Sequence, residues 1–195
     1  MGGLIAFEMA RQLVLDADEV SSLVLLDSHV VSSIVPADNE INSLPLLARF
    51  AADLGLTLDN LRRPLEELLQ LSFDEQLTHL LELAKSGGMV PDDCDVSYLR
   101  QLFHVFRTNY SAAMSYQPGE YPGRLSLLLA QDGPAKVVDT EATWRALALG
   151  GVDICHVPGN HYSMFRPPHL QTLVAELRAC LSPQVEATAL LRGTA

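Results

Sequence analysis

Three short apolar runs constrain the fold of this chain more than any other feature of its sequence. They span residues 21–26, 124–130 and 152–157, and each is rich in Leu, Val or Ile. A short apolar run suits a strand of a parallel sheet that is covered on both faces. Because helical patterns lie between and beside these runs, the sequence predicts an α/β fold with right-handed crossovers between parallel strands.

Helical periodicity accompanies the three predicted strands. The first helix is predicted over residues 4–15 and another over 138–149, where Asp139 or Thr140 would cap the start and Gly150-Gly151 would end it. The last helix is predicted to begin near Pro167-Pro168, since proline is tolerated in a first turn. Its expected apolar stripe consists of Leu170, Leu173, Val174, Leu177 and Leu181.

A long insertion separates the first two predicted strands. About ninety residues are far more than an ordinary crossover needs. Apolar residues at three- and four-residue spacing predict helices in it over residues 44–54, 61–71, 73–84 and 98–114. The insertion would sit at the carboxyl edge of the sheet, either as a lid or as a helical subdomain without a gating role.

Two glycines directly after Met1 lead into a predicted helix. Gly2 and Gly3 precede good helix formers, and no Ser, Thr, Asp or Asn stands in front to cap the helix. Such glycines suit a tight turn and a helix packed closely on a strand. This pattern resembles the downstream half of a nucleophile elbow, written Gly-x-Ser-x-Gly, in which the serine would directly precede Met1.

Composition excludes several classes of function. A net charge of −11 argues against nucleic-acid or anionic-membrane partners, because phosphate binding requires a basic surface. No apolar run approaches the roughly 20 residues that span a bilayer, and the N-terminus has no secretory signal, so we expect a cytoplasmic protein. The three cysteines are an odd number without metal-type spacing, which predicts reduced thiols and no metal site.

Three titratable residues follow the predicted strands. Asp27 ends the first strand, Asp132 ends the second, and His161 follows the third in a Gly-Asn-His loop. Functional groups of open parallel sheets gather at the carboxyl ends of strands. In hydrolases with a nucleophile elbow the chain order is Ser, acid, His, which leaves both Asp27 and Asp132 open as the acid.

Three stretches resemble one family. The sequences Gly2–Ala10, Leu25-Leu26-Asp27-Ser28 and Gly159-Asn160-His161 are similar to the thioesterase domains that end nonribosomal peptide and polyketide assembly lines. The resemblance implies an α/β-hydrolase fold. Its core would comprise residues 1–29 and 119–182, its helical lid residues 30–118, and residues 183–195 would form a tail.

The resemblance also implies a mechanism and a partner. These thioesterases carry their acid in a Leu-Leu-Asp-Ser context, which favours Asp27, with His161 as the base. The backbone N–H of Met1 would be one oxyanion donor. The substrate would be a thioester on the phosphopantetheine of an acyl or peptidyl carrier protein, with no cofactor bound, and it would be released by hydrolysis or cyclisation. Since the serine would lie before Met1, we expect a truncated domain that is inactive alone.

Two other functions stay open at this point. A free-standing editing thioesterase resembles the same elbow but carries its acid one strand later, which would be Asp132. A non-catalytic remnant could instead use its helical insertion to bind a carrier protein.

Overall fold

The computed structural model describes residues 1–30, 44–56, 67–68, 70–132 and 139–182. Helices and strands follow one another in the order that the sequence predicts, with a run of helices between the first two strands. The elements are α1 (Gly2–Leu15), β1 (Val24–Leu26), α2 (Leu44–Asp53), α3 (Phe73–Ser86), α4 (Val96–Ser115), β2 (Leu125–Ala130), α5 (Thr140–Leu147), β3 (Val152–Val157), a 3₁₀ turn (Ser163–Phe165) and α6 (Leu170–Leu181).

The strands form a parallel sheet in the order β1-β2-β3. Leu25 lies opposite Leu127, and Leu127 lies opposite Ile154, so the three apolar runs stand side by side. Leu25 and Leu127 are almost completely buried, as residues of a sheet covered on both faces should be. The α/β fold is therefore confirmed, although β1 begins at Val24, three residues later than predicted.

The chain divides into two compact units. The described residues of Gly2–Val30 and Gln117–Ala195 form one, here the sheet unit; those of Val31–Tyr116, together with Met1, form the other, here the helical unit. The domain boundaries expected from the family resemblance stay a prediction, as does the role of the helices as a lid. The predicted tail, residues 183–195, lies outside the described residues.

Three fully buried aromatic rings hold α1 and α5 in the sheet unit. The ring centroids of Phe7 and Trp144 are 5.1 Å apart, and those of Phe7 and Tyr121 are 5.8 Å apart, both in edge-to-face geometry. Each such pair stabilises the fold by about 0.5–1.5 kcal/mol beyond the contribution of the apolar area that the rings bury. The indole Nε1–H of Trp144 donates to the carbonyl of Ser28 at 2.9 Å, so this aromatic cluster also fixes the chain just after β1.

The helical unit has its own aromatic core. Phe103 on α4 is buried, and its ring lies 5.3 Å from that of Phe50 and 5.1 Å from that of Phe73. A capping box starts α3, because the side chain of Ser72 accepts from Glu75 N–H and Glu75 in turn accepts from Ser72 N–H. Three of the four predicted helices are observed; most of the predicted 61–71 helix lies outside the described residues.

The last helix begins close to its predicted start, but most of its predicted apolar stripe is not buried. It begins at Leu170, two residues after Pro167-Pro168. Only Leu173 of its apolar stripe is buried, whereas Leu170, Val174 and Leu181 are 37–56% exposed. In the part of the chain that the structure describes, no helix is long and apolar enough to cross a membrane.

Candidate functional site

Asp27 stands directly after β1, at the carboxyl edge of the sheet. Its φ is +43°, in the left-handed region that non-glycine residues seldom adopt but that aspartate tolerates better than most. The backbone N–H of Asp27 donates to the Leu128 carbonyl at 2.7 Å, and its Oδ1 accepts from Ala130 N–H at 3.0 Å. The second strand therefore holds both the backbone and the carboxylate of Asp27.

His161 lies on the loop that follows β3. Gly159, at φ +93°, turns the chain where a side chain would be strained and would overlap Ser163 and His169. Beyond it, Asn160 Oδ1 accepts from the N–H groups of Tyr162 and Ser163, while Ser163 Oγ accepts from Asn160 N–H. These reciprocal bonds form a compact turn that carries the imidazole of His161.

The structure brings Asp27 and His161 together across 134 residues of sequence. His161 Nδ1 lies 2.8 Å from Asp27 Oδ2. Since a carboxylate only accepts hydrogen bonds, Nδ1 carries the proton, and in the neutral ring Nε2 is then the basic nitrogen. The carboxylate is 9% exposed and the imidazole is 56% exposed, so a buried anion orients an accessible base.

The electrostatics favour the ionised acid. Burial by itself raises the pKa of Asp27, but the hydrogen bond from His161, the interaction with His29 and the Ala130 N–H together lower that pKa well below its usual range. Asp27 is therefore a carboxylate at neutral pH, as the orientation of His161 requires.

The two residues after Asp27 are held from several sides. Ser28 Oγ donates to the Leu26 carbonyl at 3.1 Å, and Trp144 bonds the Ser28 carbonyl. His29 Nδ1 lies 2.9 Å from Thr140 Oγ1, and its Nε2 lies 3.6 Å from Asp27 Oδ1. The last distance is too long for a hydrogen bond but suits an ion pair when His29 is protonated.

The other predicted site residues lie in different surroundings. Asp132 has an exposed side chain, and its backbone N–H donates to the Gly159 carbonyl at 2.9 Å. Met1 directly precedes α1 and is 47% exposed. A Cβ on Gly3 would overlap Ser28 Oγ, so the start of α1 packs closely on the residue after Asp27. A Cβ on Gly2 would meet nothing within 4 Å.

The described residues contain no group of three or more His, Cys, Asp or Glu that could hold a metal ion. Cys94, Cys155 and Cys180 are free thiols, each half-buried. Burial is the main cause that raises the pKa of Cys155, to about 11, so this thiol is not a nucleophile at neutral pH.

Sequence reasoning did not find the groups that contact the Asp27–His29 turn, namely Ala130 N–H at Asp27, Trp144 at Ser28 and Thr140 at His29. Each lies more than 100 residues away from the turn that it contacts. Asp139 and Thr140 were recognisable only as candidates to cap a helix, and Asp139 is the cap, because its side chain accepts from Ala142 N–H. No local pattern indicates that Thr140 also meets a histidine.

The chain is similar to known proteins of one family. The family model described as "Thioesterase domain" matches residues 1–181. Over 197 aligned residues the chain is 28% identical to pyochelin synthetase PchF of Pseudomonas aeruginosa, covering 88% of this chain and 11% of the synthetase.

Solved structures point the same way. Holo-AB3403, a four-domain nonribosomal peptide synthetase bound to AMP and glycine, superposes with a TM-score of 0.76 and 26% identity over 91% of this chain and 14% of that one. The Vlm2 thioesterase domain bound with a dodecadepsipeptide superposes with a TM-score of 0.61 and 21% identity, over 92% of this chain and 63% of that one. At this identity the likeness supports the fold alone. The chain thus spans less than two thirds of each of these relatives.

Proposed function

The chain belongs to the thioesterase domain family, and on this premise we propose that it supplies the acid and base of a Ser-Asp-His triad. The complete domain would release an acyl or peptidyl chain from the phosphopantetheine thioester of a carrier protein. Family membership supports a hydrolase, and the similarity to nonribosomal peptide synthetases supports a carrier partner. The observation that carries the triad is the 2.8 Å contact between Asp27 Oδ2 and His161 Nδ1.

The mechanism follows from the orientation of the imidazole. His161 Nε2 removes the proton of the serine hydroxyl as the serine oxygen attacks the thioester carbonyl, and it then protonates the leaving thiol. Asp27 keeps Nδ1 protonated and stabilises the imidazolium that forms in between. Water, or a nucleophile of the acyl chain itself, then attacks the acyl-serine with His161 again as the base, which gives hydrolysis or cyclisation.

The nucleophile would directly precede Met1. These 195 residues contain no Gly-x-Ser-x-Gly sequence, and α1 opens with the glycines that follow the serine in such an elbow. Met1 N–H would be one oxyanion donor, and the helical unit would act as the lid. On this proposal the 195 residues alone do not turn over substrate, and a polypeptide extended upstream in frame does.

A fluorophosphonate probe tests the triad, because it reacts with an activated serine whatever the natural acyl chain is. In the extended polypeptide we expect fast labelling, and we expect Asp27→Asn to slow it by about ten-thousandfold, as a wrong histidine tautomer does in other triads. His161→Ala should be comparably slow, and Asp132→Asn should label normally.

The outcomes separate the competing functions. If Asp132→Asn abolished labelling and Asp27→Asn did not, the acid would be Asp132, as in an editing thioesterase. A folded extended polypeptide that is not labelled, yet binds a carrier protein, would replace the proposal by a binding role.

A further inference from the structure

A second histidine lies near the carboxylate oxygen of Asp27 that His161 does not contact. His161 Nδ1 donates to Asp27 Oδ2. His29 Nε2 lies 3.6 Å from Asp27 Oδ1, and this oxygen also accepts a hydrogen bond from Ala130 N–H. Both oxygens of one carboxylate therefore have an imidazole neighbour. A carboxylate held at both oxygens cannot rotate about its Cβ–Cγ bond without losing a partner.

The His29 ring is itself held by a hydroxyl. Thr140 is the buried polar residue of the described core, 4% exposed, and its Oγ1 lies 2.9 Å from His29 Nδ1. When this hydroxyl donates to Nδ1, Nε2 carries the proton and directs it towards Asp27. One turn further along α5, Trp144 holds the Ser28 carbonyl, so two positions of one helix contact consecutive residues of the acid turn.

We propose that His29, oriented by Thr140, is a positioning residue that restrains the Asp27 carboxylate so that its Oδ2 stays aligned with His161. The inference rests on the proposed function, since it assigns a role only if Asp27 and His161 work as acid and base. His29 acts through Asp27 and not on substrate. The hydroxyl of Thr140 fixes the orientation of the half-exposed His29 ring, so that its Nε2 points to Asp27.

The tautomer of neutral His161 measures this alignment in the 195-residue chain itself. An aligned carboxylate favours the Nδ1–H tautomer, which long-range ¹H–¹⁵N correlation of labelled histidine distinguishes from Nε2–H. His29→Ala and Thr140→Val should each lower the ratio of Nδ1–H to Nε2–H by about two- to fivefold, the size expected for the loss of one weak polar contact. Thr140→Ser keeps the hydroxyl and should retain the ratio.

A matched control exists on the same sheet. His156 is also a half-exposed histidine beside a carboxylate, with Nε2 3.4 Å from Glu141 Oε1. His156→Ala should leave the His161 ratio unchanged. If either His29→Ala or Thr140→Val left the ratio at its wild-type value, or if Thr140→Ser lowered it as much as Thr140→Val, the proposal would be overturned.

Asp27→Asn separates this inference from the proposed function. If Asp27→Asn shifts the tautomer and His29→Ala does not, the acid–base pair stands and only the role of His29 fails. If Asp27→Asn also leaves the tautomer unchanged, the pair itself is absent and both fail.

Discussion

Asp27 combines a left-handed backbone conformation with a side chain whose two oxygens both accept hydrogen bonds. Its positive φ costs conformational energy, which the surrounding contacts must offset. Those contacts are hydrogen bonds from Ala130 N–H to Oδ1 and from His161 Nδ1 to Oδ2, together with the nearby His29. The strained turn aims the carboxylate along the carboxyl edge of the sheet, towards the loop after β3.

Replacing Asp27 by Asn should destabilise the sheet unit in a pH-dependent way. Asn also tolerates the left-handed backbone, so the loss, on the order of 2 kcal/mol, reflects the charged hydrogen bonds. The folded-state pKa of Asp27 is lowered, so its contribution is fully present above the unfolded value of about 3.9 and is lost as pH falls through the folded pKa.

Urea unfolding at a series of pH values checks this. The stability difference between wild type and Asp27→Asn should be largest near neutrality and should shrink below about pH 4. Asp132→Asn, whose side chain is exposed, serves as the control. A difference that stays constant down to acidic pH would contradict the assignment of the lowered pKa.

At the scale of elements, α1 packs closely because Gly3 has no side chain. A Cβ there would overlap Ser28 Oγ, and Ser28 adjoins Asp27. The Gly2 position is open, although the two glycines are adjacent in sequence and look alike there. The contact therefore links the start of α1 to the turn that carries the acid.

Gly3→Ala and Gly2→Ala should change the free energy of unfolding in different ways. Gly3→Ala forces Ser28 to move and should cost about 1–3 kcal/mol of unfolding free energy, the usual range for overpacking. Gly2→Ala should be neutral or stabilising by up to about 1 kcal/mol, since alanine favours the helix. Thermal or urea unfolding of the two variants measures both, and equal effects would refute the close approach.

The helical unit depends on one central ring. Phe103→Ala removes the contacts with Phe50 and Phe73 and should cost about 3–5 kcal/mol, as large-to-small changes in cores do. Val105→Ala on the same helix is 55% exposed and should change stability by less than about 0.5 kcal/mol. Urea unfolding of the two variants, followed by the helical circular dichroism signal, measures this difference. Similar unfolding midpoints for the two variants would contradict a central role of Phe103 in this core.

At the scale of the whole molecule, apolar surface is exposed on α1. Ile5, Met9 and Leu13 follow one another at four-residue spacing and are 53%, 59% and 41% exposed, on the face opposite the buried Phe7. Contiguous apolar surface promotes association. In the described sheet β1 is also an edge strand, with one row of backbone groups not paired to β2.

We therefore expect the 195-residue polypeptide to self-associate, and Ile5→Lys with Met9→Lys to reduce this. Sedimentation velocity over a tenfold range of concentration should show the shift to larger species for wild type and a smaller shift for the double variant. Tyr98→Lys with Val105→Lys, at exposed positions of α4, is the matched control for added charge. A wild-type chain that sediments as a clean monomer would contradict the prediction.

The sequence alone determined the elements and their order. Apolar runs and helical spacing are local patterns, so the strand at residues 152–157, the helix after Asp139 and the parallel α/β arrangement could be predicted. The motifs around Asp27 and His161 were local as well, and they indicated the family. The exposed stripe of α6 was not predictable, because periodicity shows which face is apolar but not what covers it.

Tertiary structure alone decided which groups meet. By strand position alone Asp27 and Asp132 were both open as the acid, and only the family resemblance favoured Asp27. The sheet register and the Gly159 loop bring His161 Nδ1 to Asp27 Oδ2, and helix α5 brings Thr140 to His29 across 111 residues. Contacts of that separation depend on how strands pair and helices pack, which no local pattern of residues encodes.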